Sequence, residues 1–456
     1  MAIKPQSVAG EPTFTTQPSW ARRQAFQILR KISSQQAFAR PLIQKALRVA
    51  PAPPAERDFA ERLVLGVTAT WGELDLIIQR SLAKRQADPI VQDILRLATY
   101  ELVFLAKADY AAVDQAVALT HQQRPAASGF VNWALRRIAL DLRDFPWGDP
   151  QNDLTALAHS QAFPLWLAER LVQEQGWSAA SQFMAVANQP APIFVQDLTT
   201  GTALEWSAGQ LAESETELSS GQRWIIADLA TQQVARRVAN VIAAFHPSLD
   251  SSASEEVAAQ TAESPLATPG FLEVGSGRGT KTVLINRQLQ RQGLVYRHLA
   301  LDDLEFKTTL LGRRIAQYQL TGVQAQSLDI RQLSGLADFV VAFLDAPCSG
   351  SGTLRRHPEI RWRLQPEDLD SLVAQSLELL QALSVYLAPG GRLIYATCSV
   401  LQVENEGLVR AFLATPAGQG FQLLDWPGES SPWFYTHQQS GGGDAHFAAL
   451  LQRPEC

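Results

Sequence analysis

A chain of 456 residues is too long for one hydrophobic core and implies two or three domains. With 46% hydrophobic and 18% charged residues it has the balance of a globular protein, and no run approaches the roughly 20 apolar residues that cross a bilayer. Its formal net charge of −6 gives no support to nucleic-acid binding, so any such contact must rest on local basic patches.

Residues 1–19 are polar, carry Pro5, Pro12 and Pro18, and lack the apolar run of a secretory signal; a disordered tail is expected there. From Trp20 to about residue 145 the period is helical. Val91, Ile94, Leu95, Ala98, Leu102 and Leu105 form an i, i+3, i+4, i+7 stripe, and Asp88-Pro89 supplies a capping acid followed by a proline at the first helical position. Similar stripes run from Phe26 and Leu29, from Phe59 to Val67 and from Val113 to Leu119. Residues 20–145 therefore read as an all-α domain. Residues 146–225 read as a linker, marked by Pro146, Gly148 and Pro150, and a small helical and mixed subdomain with a helical stretch Phe163–Ala187 and a mixed region Ile193–Leu198.

Residues 226–456 change period. A Ser-, Ala- and Glu-rich segment, His246–Thr268, breaks into this part and reads as a disordered insertion over 246–269. Beyond it, apolar runs at Phe271–Val274, Leu294–Leu301, Phe339–Leu344 and Arg392–Ala396 alternate with helical patterns at Lys281–Arg291, Leu304–Gln319 and Leu369–Leu387. Such alternation predicts a doubly wound, Rossmann-like α/β domain whose ligands bind beyond the carboxyl ends of the strands. The whole chain is thus multidomain, all-α followed by α/β.

The residues just beyond each strand end are the chemically distinctive ones. The first strand runs into Glu273-Val274-Gly275-Ser276-Gly277-Arg278-Gly279-Thr280-Lys281, whose alternating glycines permit a tight turn and close approach to a ligand. Alone, this turn fits a dinucleotide site, a phosphate loop or a plain bend, but not a Walker A loop, whose spacing fails. Asp302 ends the second strand, where an acid can accept hydrogen bonds from ribose hydroxyls of NAD or S-adenosylmethionine alike, and Asp329 comes after the third. The fourth strand runs into Asp345-Ala346-Pro347-Cys348-Ser349-Gly350, and the fifth into Thr397-Cys398-Ser399, with Glu404-Asn405-Glu406 soon after. The chain has only three cysteines, Cys348, Cys398 and Cys456, an odd, sparse set that argues against a disulfide scaffold and for a reducing, cytoplasmic setting. A single buried cysteine is commonly just a small hydrophobe, but two at adjacent strand ends should face one crevice. No Cys/His spacing suits a zinc site, so no metal is expected.

These residues carry a specific resemblance. Asp345-Ala346-Pro347-Cys348-Ser349-Gly350, followed by Gly352-Thr353-Leu354-Arg355-Arg356-His357-Pro358-Glu359-Ile360-Arg361-Trp362, resembles the fourth motif of the Nop2/Sun RNA cytosine-5 methyltransferases. Thr397-Cys398-Ser399 with Glu404-Asn405-Glu406 resembles their sixth. The N-terminal part resembles the helical, RNA-binding NusB domain at Arg23, Ala25, Leu29, Asp58, Gly66, Ile94-Leu95-Arg96-Leu97-Ala98, Tyr100-Glu101-Leu102, Phe130-Val131-Asn132 and Leu135-Arg136. The fused layout is that of bacterial 16S rRNA cytosine-5 methyltransferases.

The resemblance implies that Cys398 is the attacking thiolate, that Cys348 assists release of the methylated base, and that Asp345 and Lys281 contact the cytosine. It implies S-adenosylmethionine as cofactor, with Asp302 on the ribose, Asp329 near the adenine, and Glu273, Gly275, Ser276, Gly277, Gly279, Thr280, Lys281 and Asp345 around it. The expected partner is rRNA, met by a patch of Arg355, Arg356, Arg361 and Arg363, which could equally be a solvated helix start paired with Glu359. A monomer is expected. The first motif departs from the family at Glu273, Gly275, Arg278 and Thr280, Gln196-Asp197 replaces an arginine-asparagine pattern, and Asp444-Ala445-His446-Phe447 replaces a Gly-Phe-Phe run. A tRNA methyltransferase and a non-catalytic assembly factor remain as alternatives.

Overall fold

The computed structural model describes residues 17–47, 50–82, 87–214, 217–218, 221–245, 270–335 and 339–455. Most of the expected tail and the whole expected insertion fall outside these residues. The chain divides into two compact units, one of residues 1–169 with 356–363, the other of 170–355 with 364–456.

The first unit is built from α1 (Trp20–Gln35), α2 (Ala39–Leu47), α3 (Pro54–Ala69), α4 (Trp71–Ser81), α5 (Pro89–Val103), α6 (Asp109–Gln123), α7 (Ser128–Asp141) and α8 (Leu154–Gln161). Helix α5 starts where Asp88 and Pro89 dictate: the Asp88 carboxylate accepts a 2.8 Å hydrogen bond from the Ile90 N–H. Its stripe of Val91, Ile94, Leu95 and Ala98 is buried against Ala25, Leu29, Leu63, Val64 and Leu135. Each fully buried Leu or Ile there contributes roughly 1.5–3 kcal/mol. The segment 356–363 adds a helical turn, Ile360–Arg363, to this unit.

Helices α9 (Leu165–Gln175) and α10 (Trp177–Ala187) replace the single helical stretch expected over 163–187. Gly176, at φ +81°, breaks it, a conformation that favours glycine. The mixed region becomes a three-stranded antiparallel sheet in the order β2 (Ala203–Trp206), β1 (Ile193–Asp197), β3 (Trp224–Ile226), with α11 (Ala208–Glu213) after β2. Asp197 is a structural acid: it accepts from Thr199 N at 2.8 Å and pairs with Arg223 at 2.9 Å.

Helix α12 (Leu229–Ala243) leads to the large sheet. Its elements are β4 (Gly270–Val274), α13 (Thr280–Arg291), β5 (Arg297–Asp302), α14 (Glu305–Gln317), β6 (Val323–Ser327), β7 (Phe339–Asp345), α15 (Pro366–Ser384), β8 (Leu387–Thr397), α16 (Glu406–Leu413), β9 (Gln422–Leu423), β10 (Trp433–Tyr435) and β11 (Phe447–Gln452). The strand order is β10-β11-β8-β7-β4-β5-β6, with β9 also on β11. Pairs from β8 to β6 are parallel, while β11 runs antiparallel to β8.

The sheet is covered on both faces, which explains its nearly continuous apolar runs. Phe271, Val341, Phe343 and Ile394 pack with Val234 and Val238 of α12 and Val283 of α13. Leu272, Ala342, Leu344 and Leu393 point the other way, onto Leu380 and Leu383 of α15 and Phe412 of α16. The second strand starts at Arg297 rather than Leu294, because Gly293 (φ +71°) and a 3.0 Å bond from Leu294 N to Leu289 O are still closing α13. No helix among the described residues is long and apolar enough to cross a membrane.

Candidate active site

Strand register brings the chemical residues together. Strands β7 and β8 are parallel neighbours with Asp345 opposite Ala396, and Ala346 N donates to Ala396 O at 2.9 Å. The loops leaving both strands therefore start side by side. The Sγ atoms of Cys348 and Cys398 lie 3.4 Å apart, each residue partly buried. The contact with Cys398, then burial, pushes the Cys348 thiol well above its ordinary range.

Strand β4 lies on the other side of β7, with Val274 opposite Leu344. This register puts the glycine turn against the end of β7. Gly275 sits at φ +78°, and a Cβ there would lie 2.3 Å from the Asp345 carbonyl oxygen, so no other residue fits. From the start of α13, Lys281 reaches back to Asp345, Nζ to Oδ2 at 2.6 Å. Burial alone would lower the Lys281 pKa, but the Asp345 carboxylate outweighs it and holds the ammonium above its usual value.

The remaining cofactor candidates lie in this turn, or at or beyond the ends of β4, β5 and β6. Asp302, 5% exposed at the end of β5, accepts from Gly277 N and Leu304 N, each at 3.0 Å, and pairs with Lys307 at 3.2 Å. Glu273 is fully buried beneath the turn, where its Oε2 accepts from Thr282 Oγ1 at 2.8 Å and meets His298 Nε2 at 2.9 Å. Thr280 Oγ1 is taken by Arg314 at 2.8 Å. Asp329 is gripped by the Arg331 guanidinium, whose hydrogen bonds hold its carboxyl below the usual range. The Oγ of Ser276 and the Oε1 of Glu273 are buried without a hydrogen-bond partner. A glycine cradle, unpartnered polar atoms and a buried strand-end acid make a lining that fits S-adenosylmethionine. Among the described residues no His, Cys, Asp and Glu cluster could hold a metal ion.

The arginine patch is corrected by the structure. Arg355 is 5% exposed, and its guanidinium donates to the carbonyls of Gln439, Gly442 and Gly443 at 3.1, 2.8 and 2.5 Å. Asp444, from the divergent C-terminal run, lies 3.6 Å from it. Arg361 is fully buried in the first unit, donates to Ala69 O and Ala162 O at 3.2 and 3.1 Å, and lies 3.9 Å over the Phe163 ring. Both are interior cations serving backbone carbonyls. Trp362 likewise packs on the bare face of Gly72 and donates its indole N–H to Ala69 O at 2.7 Å. Arg356 is half-buried and Arg363 exposed.

Sequence reasoning placed Glu404 in a motif without giving it a task. It is 2% exposed and accepts hydrogen bonds from the residue after each cysteine: Ser349 N and Oγ at 2.6 Å, and Ser399 Oγ at 2.5 Å. An acid six residues beyond the second cysteine was the available signal, but its partner in the other loop was not visible.

A family model described as 16S rRNA methyltransferase RsmB/F matches residues 264–449, and one described as the NusB family matches residues 19–140. The ribosomal RNA small subunit methyltransferase B of Thermus thermophilus is 31% identical over 375 residues, covering 82% of this chain and 82% of its own length. The protein of the same name from Pasteurella multocida is 29% identical over 415 residues, covering 86% and 87%. The crystal structure of PH0851 shares the fold, with a TM-score of 0.69 at 20% identity over 94% of this chain and 97% of that one. With an all-α NusB domain ahead of a Rossmann-like methyltransferase domain, the chain belongs to the RsmB/F family of 16S rRNA methyltransferases.

Proposed function

We propose that this S-adenosylmethionine-dependent RNA methyltransferase acts on small-subunit (16S) rRNA and adds the methyl group to C5 of a cytosine through a covalent adduct with Cys398. One observation carries the reading: two thiols 3.4 Å apart at the ends of adjacent strands.

The chemistry asks for such a pair. C5 of cytosine is a weak nucleophile. Addition of the Cys398 thiolate at C6 makes C5 enamine-like, with the Sγ–C6 bond formed at the expense of the ring double bond. S-adenosylmethionine supplies an electrophilic methyl group for that carbon. Thiolate addition places negative charge on the ring at N3, and the proton shared within the Asp345–Lys281 pair would be donated to N3 by the Asp345 carboxyl, steadying that charge. Release requires transfer of the C5 proton to a base, with its electron pair restoring the ring double bond as the Sγ–C6 bond breaks and frees the Cys398 sulfur; Cys348, 3.4 Å from that sulfur, would pass its own proton to it and, as a thiolate, take the C5 proton.

A cytosine in a stem must leave its stack to reach a strand-end crevice, so an unpaired or flipped base is the expected target. Of the four arginines, Arg356 and Arg363 remain as phosphate contacts. An rRNA substrate would place the protein in the cytoplasm. Incubation of the protein with unmethylated small-subunit rRNA and labelled S-adenosylmethionine should give label at cytosine C5. A folded protein that leaves C5 unlabelled would overturn the reading.

A further inference from the structure

The contacts of Glu404 reach further than its own loop. Its carboxylate accepts from Ser349 N (2.6 Å), Ser349 Oγ (2.6 Å) and Ser399 Oγ (2.5 Å), the residues that directly follow Cys348 and Cys398. The hydroxyls continue the link. Ser351 Oγ lies 3.0 Å from Ser399 Oγ and accepts from Val400 N at 3.0 Å, and Gly352 N donates to Cys398 O at 2.9 Å. Glu404 is itself held from below, where the Tyr395 hydroxyl donates to its carbonyl at 2.6 Å. Asn405 next to it accepts from Thr397 Oγ1 at 2.6 Å and donates to Ser399 O at 3.0 Å.

We propose that Glu404 is a positioning residue that ties the Cys348 loop to the Cys398 loop through Ser349 and Ser399 and so fixes the separation of the two thiols. The inference rests on reading these thiols as the reacting pair. Burying a carboxylate is costly unless its lone pairs are filled, and here three donors from two loops fill them. The same charge faces Cys348. Around that thiol stand Cys398, Glu404 and, from β8, Tyr395. A negative group on the Cys348 side adds to the causes that keep this thiol protonated.

The test needs neither RNA nor cofactor. Phenylarsine oxide bridges two thiols held a few ångströms apart, and the only other cysteine in the sequence is Cys456. Wild-type protein should bind it one to one through Cys348 and Cys398, with the adduct located by mass spectrometry. Loss of the three hydrogen bonds in Glu404→Ala should weaken capture by ~10-fold or more. The Ser349→Ala/Ser399→Ala double variant, which keeps the carboxylate, should weaken it in the same direction. Glu404→Gln keeps the size and one acceptor oxygen, so it should stay within ~3-fold of wild type, while Cys348 alkylates at lower pH than in wild type. Wild-type capture in a folded Glu404→Ala or double-serine variant would overturn the proposal. Failure of the methyltransfer reading would show instead as wild-type capture without transfer to RNA.

Discussion

Lys281 and Asp345, 64 positions apart in the chain, meet as an ion pair of 2.6 Å between the glycine turn and the end of β7. One residue comes from the cofactor side and the other from the loop that carries Cys348, so the pair joins the two halves of the site. Lys281→Met and Asp345→Asn should each lower kcat/KM for methyl transfer by ~10²–10³-fold, the scale of removing one preorganised charged contact. Because Asp345 holds the Lys281 pKa above its unfolded value, the pair's stabilisation is fully present below the ordinary lysine pKa of ~10.4 and is lost as pH rises through the folded value. Melting temperatures of wild type and Lys281→Met, compared between neutral and strongly alkaline pH, should converge only at the alkaline end. A gap that closes below pH ~9 would contradict this ordering.

The asymmetry between the thiols gives a second prediction. Cys398→Ser should abolish methyl transfer. Cys348→Ala should still form the Sγ–C6 bond but release it slowly, leaving a protein–RNA band on a denaturing gel. With its pKa pushed up by Cys398 and by burial, Cys348 in the wild type should alkylate slowly at pH 7 and faster only above the free-thiol value of ~8.5. Exchanged phenotypes would reverse the two roles.

Gly275 is constrained twice, by a φ of +78° and by the Asp345 carbonyl 2.3 Å from where a Cβ would stand. Gly275→Ala must therefore move either the turn or the end of β7. A cost of about 1–3 kcal/mol in stability is expected. Calorimetry should also show weakened S-adenosylmethionine binding, since both elements border that site. Unchanged affinity and melting temperature would mean that the turn relaxes freely.

How much of this was legible depended on the range of each interaction. The glycine turn, Asp302 and the two cysteine loops come directly after apolar runs, so local order alone placed them at strand ends. Their 3.4 Å meeting depends on β7 and β8 being neighbours in the register Asp345 to Ala396, which the chain order suggests but does not fix. Arg355 and Arg363 look alike in sequence. Arg355 is claimed by carbonyls of Gln439, Gly442 and Gly443, some 84 to 88 positions away, while Arg363 stays exposed. Nothing local to either residue encodes that difference. Glu404 was readable as part of a motif, but its grip on Ser349 spans 55 positions. The break of the helical stretch at Gly176 is local, and its positive φ is the kind of feature a glycine announces.

The divergent fates of neighbouring arginines set up the last prediction. Arg361 is fully buried, and burial pulls its pKa down to about 9, still high enough for the guanidinium to be charged at pH 7. It serves the carbonyls of Ala69 and Ala162 and stacks on Phe163. Arg361→Met should strand those acceptors and destabilise the helical unit by about 3 kcal/mol or more. Arg361→Lys should rescue little, because one ammonium cannot reproduce a planar fork over an aromatic ring. Arg363→Ala, which removes an exposed guanidinium that donates to Ala37 O at 2.9 Å and lies 5.5 Å over the Phe38 ring, should cost no more than about 1 kcal/mol. If Arg363 contacts phosphate, the same substitution should reduce the salt dependence of RNA binding by about one unit of slope, measured by fluorescence anisotropy across a salt series. A destabilised Arg363→Ala with an unchanged salt slope would instead make Arg363 one more scaffold residue and move the RNA contact elsewhere.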